Sequence, residues 1–216
     1  MEMNVRPGRK SLMEAVTQHA LDMQDENYTL VEIGVCKGET MVEFCQLGCV
    51  DHYIGVDPWK HYENPPDSTF KHGFLDTHFM DNWDQDYFDK QYASCKELLK
   101  QFDKKTALIR NFSHLAADLV LDESINFAFI DGSHQKEYVL KDIELWYPKL
   151  KIGGAMVFDD WHQMSAERKE EADDGPGQAI QEYAAKNSIP VYFTECKNYA
   201  CLIKNNRMSL WRGQWT

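Results

Sequence analysis

This sequence predicts an α/β domain: a seven-stranded, mostly parallel sheet with helices on both faces, closing in an antiparallel C-terminal hairpin. Two observations predict it. Short β-rich runs alternate with segments of helical period, the signature of parallel strands joined by crossover helices. The last two β-rich runs, VYFTEC and YACLIK, are separated only by Lys197 and Asn198, a connection that suits a hairpin and not a crossover. At 216 residues the chain suits one domain, taken here as 1–216, and can bury a full core without disulfide staples.

The elements follow in order. KSLMEAVTQHALDM is a helix, because Leu12, Ala15, Val16, His19, Ala20 and Met23 recur at helical spacing. YTLVEIGV is a strand running into Gly34, and ETMVEFCQLG is a helix with a glycine stop. HYIGVD is the second strand. Residues 58–83 are rich in Pro, His, Asp and aromatics without clear period, and read as a substrate-side excursion. FDKQYASCKELLKQF is helical, TALIRNF is the third strand, and SHLAADLVL is a short helix opened by a Ser113 cap. NFAFIDGSH is the fourth strand, and KEYVLKDIELWYPKL is a helix with Tyr138, Ile143, Leu145, Trp146 and Leu150 on its apolar face. KIGG turns the chain into the fifth strand, AMVFDD. Residues 161–176 form a second polar excursion, and QAIQEYAAKN is the last helix before the hairpin.

Composition removes several functions. Acidic residues number 35 against 23 basic ones, a formal charge of −12, which disfavours nucleic acid as a partner. No apolar run is long enough to span a bilayer, and the N-terminus has no signal-peptide core, so no membrane partner and a cytoplasmic location are expected. The six cysteines form no C-x-x-C pair and read as reduced thiols.

The first strand–helix junction, VEIGVCKGET, carries Glu32, Gly34, Gly38 and Thr40. Ligands of open α/β sheets sit at the carboxyl ends of strands, where glycines let backbone approach them. The pattern is E-x-G-x-x-x-G, not the G-x-G-x-x-G of dinucleotide sites. The second strand ends on Asp57, a carboxylate able to accept hydrogen bonds from both hydroxyls of a ribose. Read alone, the glycines make a tight turn and Asp57 is a loop acid. At the ends of consecutive strands, they favour a ribose-bearing ligand.

VEIGVCKGET, YIGVDPW, FAFIDGSH, DIELWYPKLKIGG and MVFDDWH together resemble class I S-adenosylmethionine (SAM)-dependent O-methyltransferases with a Rossmann-like fold. The similarity is greatest to the metal-dependent sugar and macrolide enzymes of the macrocin type, which are related to the catechol O-methyltransferases. The resemblance implies that Glu32, Gly34, Gly38 and Thr40 cradle the methionine part of SAM and that Asp57 holds its ribose. Ser113 falls at the adenine-side position and Asp131 beside the cofactor. Trp59 either walls the cofactor or packs the lid that the 58–83 excursion forms.

The fourth strand ends on Asp131 and the fifth on Asp159 and Asp160. Three converging carboxylates repel one another, a conflict that a hard divalent cation such as Mg²⁺ removes. The three are therefore the expected metal ligands, the alternative being that they cap turns. His134, three residues beyond Asp131, is the expected general base, with His162 its rival. The spacing of His61, His72 and His78 carries little information.

The expected function is Mg²⁺-assisted methyl transfer from SAM to a hydroxyl of a small molecule bearing vicinal hydroxyls, glycosyl or catechol-like. The alternatives are metal-independent N- or O-methylation and a non-catalytic SAM-binding protein. A homo-oligomer is compatible with the sequence.

Overall fold

The computed structural model describes residues 7–61, 84–161, 175–193 and 199–204. Its elements are α1 (Pro7–Met23), β1 (Thr29–Ile33), α2 (Glu39–Cys45), β2 (His52–Asp57), α3 (Gln85–Leu99), β3 (Thr106–Arg110), α4 (Ser113–Ala116), β4 (Ile125–Ile130), α5 (Lys136–Trp146), β5 (Leu150–Phe158), α6 (Pro176–Asn187), β6 (Val191–Phe193) and β7 (Ala200–Ile203). Most of both excursions, with His72, His78 and His162, lies outside the described residues.

The seven strands form one sheet in the order β3-β2-β1-β4-β5-β7-β6. The first five strands pair in parallel, while β7 runs antiparallel to both β5 and β6. The chain fills the sheet outward from β1 in one direction and from β4 in the other. The carboxyl ends of these two strands are therefore the topological switch point, where open α/β sheets place their ligands. β4 is buried along its whole length, as a central strand covered on both sides must be.

Two apolar clusters hold the layers together. On one face, Leu12 and Val16 of α1, Met41 and Phe44 of α2 and Cys95 and Leu99 of α3 pack on β-strand residues such as Phe127 and Phe129. On the other face, Val139, Ile143 and Trp146 of α5 and Ala179 and Ile180 of α6 pack on Ala128, Ile130 and Met156.

Three local expectations are corrected. KIGG belongs to β5 and is not a turn before it. The pairing of β4 with β5 shifts register between Ile125 and Phe127, and Gly153, at φ 86°, takes the left-handed backbone this irregularity needs. Ser113 does not cap its helix: Phe112 occupies the cap position without a side-chain bond, and the serine hydroxyl is engaged by α5. The third helix starts at Gln85, where the Asp84 side chain accepts from the Tyr87 N–H at 2.8 Å.

Candidate active site

The junction after β1 is held by backbone constraints. Gly34 has φ 96°, and a Cβ there would stand 2.1 Å from the Asp131 carbonyl oxygen. Only glycine lets the loop after β1 pass this close to the loop after β4. Gly38, at φ 79°, lies against the Cys95 sulfur and starts α2.

Asp57 ties the loop to β2. Its Oδ2 accepts from the Cys36 N–H at 2.9 Å and its Oδ1 from the Trp59 N–H at 2.8 Å. Burial raises its pKa, while these backbone donors act to lower it. Trp59 is 1% exposed and packs against Tyr92 with the rings tilted by 47° and their centroids 4.8 Å apart, and its indole N–H donates to the Cys36 carbonyl. Its indole thus packs between the loop and α3.

Glu32 is 0% exposed. Its Oε2 accepts from the Tyr53 hydroxyl at 3.1 Å, and its Oε1 is buried without a partner. Burial, and then Asp131, push its pKa well above the carboxylate range; the Tyr53 hydroxyl, Arg9 and the Thr40 hydroxyl oppose this without reversing it. Burial thus favours the protonated form of Glu32. Thr40 is buried, and its hydroxyl accepts from Arg9.

β4 and β5 bring the remaining acids together. Ile130 pairs with Phe158, so Asp131 and Asp159 leave neighbouring strands side by side, and the Asp159 N–H donates to the Ile130 carbonyl at 3.1 Å. Burial, Asp131 and Asp160 raise the Asp159 pKa to about 6. Asp160 takes the left-handed backbone at φ 49°. His134 is 31% exposed on its side chain, with Nε2 lying 3.8 Å from Asp131 Oδ1. Burial acts to lower its pKa, but Asp131, Asp160 and Asp159 outweigh it and the net shift is upward.

Ser113, on the other side of the switch point, donates to Asp142 Oδ1 at 2.5 Å and accepts from the Trp146 indole at 2.8 Å.

The residues fit the two implied groups unequally. A sulfonium ligand carrying an ammonium suits a rim of Asp57, Asp131 and Asp159, and the unpaired Glu32 oxygen marks hydrogen-bonding capacity left unused. A metal fits less well: among the described residues, no three His, Cys, Asp or Glu side chains are grouped to hold an ion.

Arg9 was missed by the sequence reading. A signal existed: it precedes Leu12 by three residues and Val16 by seven, on the stripe that α1 buries. Starting the helix at Lys10 hid it.

Sheet order, glycine loop and strand-end acids define a Rossmann-like α/β domain. Residues 31–161 match a family model described as "Methyltransferase domain", and the chain belongs to that family. It is 27% identical over 144 residues to the uncharacterized protein R132 of Acanthamoeba polyphaga mimivirus, which covers 64% of this chain and 53% of that relative. The chain thus spans about half the length of the curated relative it matches. Its fold is similar to a putative caffeoyl-CoA O-methyltransferase from Staphylococcus aureus, at TM-score 0.61 and 13% identity over 94% of this chain and 86% of that one. It is also similar to an O-methyltransferase from Bacillus cereus solved in complex with SAH, at TM-score 0.58 and 12% identity over 94% and 84%. Among the described residues, no helix is long and apolar enough to cross a membrane.

Proposed function

We propose that this protein transfers the methyl group of SAM to a hydroxyl oxygen of a small molecule. One juxtaposition carries the reading: in a methyltransferase-family chain, the glycine loop, Asp57 and the Asp131–His134 pair stand at the carboxyl ends of β1, β2 and β4. Glu32, Gly34, Gly38, Thr40 and Asp57 would hold SAM, with Asp131 beside it and Ser113 on its adenine side. Bound SAM supplies an electrophilic methyl group on a sulfonium. Asp57, already fixed by two backbone donors, offers its carboxylate to the ribose without having to be ordered on binding.

His134 takes the hydroxyl proton in this reading. With Nε2 turned towards Asp131, the tautomer bearing its hydrogen there leaves the Nδ1 lone pair free to accept. The nearby carboxylates then stabilise the imidazolium that forms. Residues 58–83 and 161–176 are the proposed acceptor walls, and a vicinal diol, glycosyl or catechol-like, is the proposed acceptor class.

Mg²⁺ assistance, the macrocin-type version, is supported by the mutual repulsion of Asp131, Asp159 and Asp160, which a divalent cation would relieve. Metal-independent transfer is favoured by the lack of a three-donor group among the described residues.

The test is calorimetric titration with S-adenosylhomocysteine, followed by mass spectrometry of SAM reactions on a panel of sugars and catechols, with and without EDTA. Binding, and a product heavier by one methylene, are expected. Asp57→Ala should weaken binding roughly 10–100-fold. His134→Ala should lower kcat by about 10²–10⁴ while binding persists. Loss of turnover in EDTA selects the Mg²⁺ version, and full activity there selects the other. Binding without turnover on any acceptor would leave a SAM-binding protein, and no binding would end the reading.

A further inference from the structure

The cofactor reading leaves one charge unanswered. The amino-acid end of SAM carries an α-ammonium and an α-carboxylate. The acids at the carboxyl ends of β1, β2 and β4 suit the ammonium and the sulfonium, but they repel the carboxylate. α2 has 7 residues, too short to serve as an anion site by its N-terminus. Lys37 in the glycine loop is exposed, where a flexible ammonium holds an anion only weakly.

Arg9 is the buried cation at this place. It is 9% exposed, on the first turns of α1. Its Nη1 donates to the Thr40 hydroxyl, and its Nε lies 3.6 Å from Glu43 Oε2. Both partners belong to α2, the helix the glycine loop opens. Burial acts to lower its pKa, but Glu43, Tyr199, Asp131 and Glu32 outweigh it and the net shift is upward, so it stays a cation. A guanidinium has five N–H donors in a planar fork that matches a carboxylate. The Thr40 bond, from Nη1, uses one of them.

We propose that Arg9, together with the Thr40 hydroxyl, binds the α-carboxylate of the amino-acid end of SAM. α1 then becomes a third wall of the cofactor site, and the site selects ligands that carry this carboxylate. The inference rests on the SAM reading above and adds a residue outside its motifs.

The probes are S-adenosylhomocysteine and its decarboxylated analogue, which keeps the adenosine, the thioether and the amine. Calorimetry on the full chain should show the wild type preferring the former by roughly 10–100-fold, the range of a charge-assisted contact. Arg9→Gln should erase that preference by weakening S-adenosylhomocysteine alone, and Arg9→Lys should restore part of it. An equal loss for both ligands would make Arg9 a packing residue and overturn the proposal. So would an unchanged preference in Arg9→Gln. The wild-type comparison needs no variant: equal affinity for the two probes overturns the proposal even if Arg9→Gln does not fold. Failure of the wild type to bind either probe would instead overturn the SAM reading, and this inference with it.

Discussion

Gly34 and Arg9 show what a single residue discloses in a sequence. Gly34 was legible because a glycine after a β-rich run has few uses, and its φ of 96° against the Asp131 carbonyl is one of them. Gly34→Ala should therefore destabilise the fold by at least about 2 kcal/mol, combining left-handed strain with a clash on backbone that cannot give way. Urea denaturation checks this, and a loss below about 0.5 kcal/mol, ordinary for a surface substitution, would refute the close approach. Asp57 was legible as a strand-end acid, but not the donor it takes from Cys36, which only the loop after β1 brings near; the Trp59 donor is local, two residues on. Arg9 and Asp142 were overlooked for another reason. Each is a charged residue on the buried stripe of a helix, and pattern reading scores such positions as polar. Their partners, Thr40 and Ser113, stand 31 and 29 residues away.

Elements were more legible than their ends. Every strand was placed, since alternation with helical segments leaves little freedom in a parallel sheet. The misplaced boundary at KIGG has a physical cause: glycines usually mark turns, but Gly153 and Gly154 sit in a strand irregularity whose backbone bonds go to Lys204, just past the end of β7. The link between β2 and α3 rests on Trp59. Its N–H donates to Asp57, its indole to Cys36, and its carbonyl accepts from Gln85 and Arg110. Trp59→Ala should cost about 3–5 kcal/mol, as expected for a buried tryptophan. It should also weaken S-adenosylhomocysteine binding, because the Cys36 carbonyl loses its anchor. Denaturation and calorimetry on the same variant separate the two effects. Stability near wild type would show that the indole does not hold this link.

At the scale of the whole molecule, buried ionisable groups on opposite faces of the sheet pull stability in opposite directions with pH. His19 of α1 has Nδ1 2.5 Å from the Tyr28 hydroxyl, and its Nε2 donates to the Gly153 carbonyl at 3.0 Å. Burial lowers its pKa from 6.5 to about 4, with Gly153 and Asp22 opposing. Its unfolded form takes up the proton first, so the stability it contributes is present above pH 6.5 and is lost as pH falls towards 4. Asp142 of α5 behaves oppositely. Burial pushes its pKa from 3.8 up to about 6 against the Ser113 bond and Lys141. The folded chain keeps a proton that the unfolded chain has released, so this contribution is full below pH 3.8 and lost as pH rises through 6. The two slopes overlap between about pH 4 and 6 and partly cancel, so the wild-type profile alone hides both. Asp142→Asn exposes one of them, because the amide oxygen still accepts from Ser113 but never ionises. Its stability relative to wild type should improve by about 2–3 kcal/mol between pH 4 and pH 8, whatever offset the new amide group adds at both. Urea denaturation of the two proteins at those pH values measures the difference directly. A relative stability that does not change with pH would mean that Asp142 titrates alike in the folded and unfolded chains, and that burial against Ser113 and Trp146 does not hold it neutral.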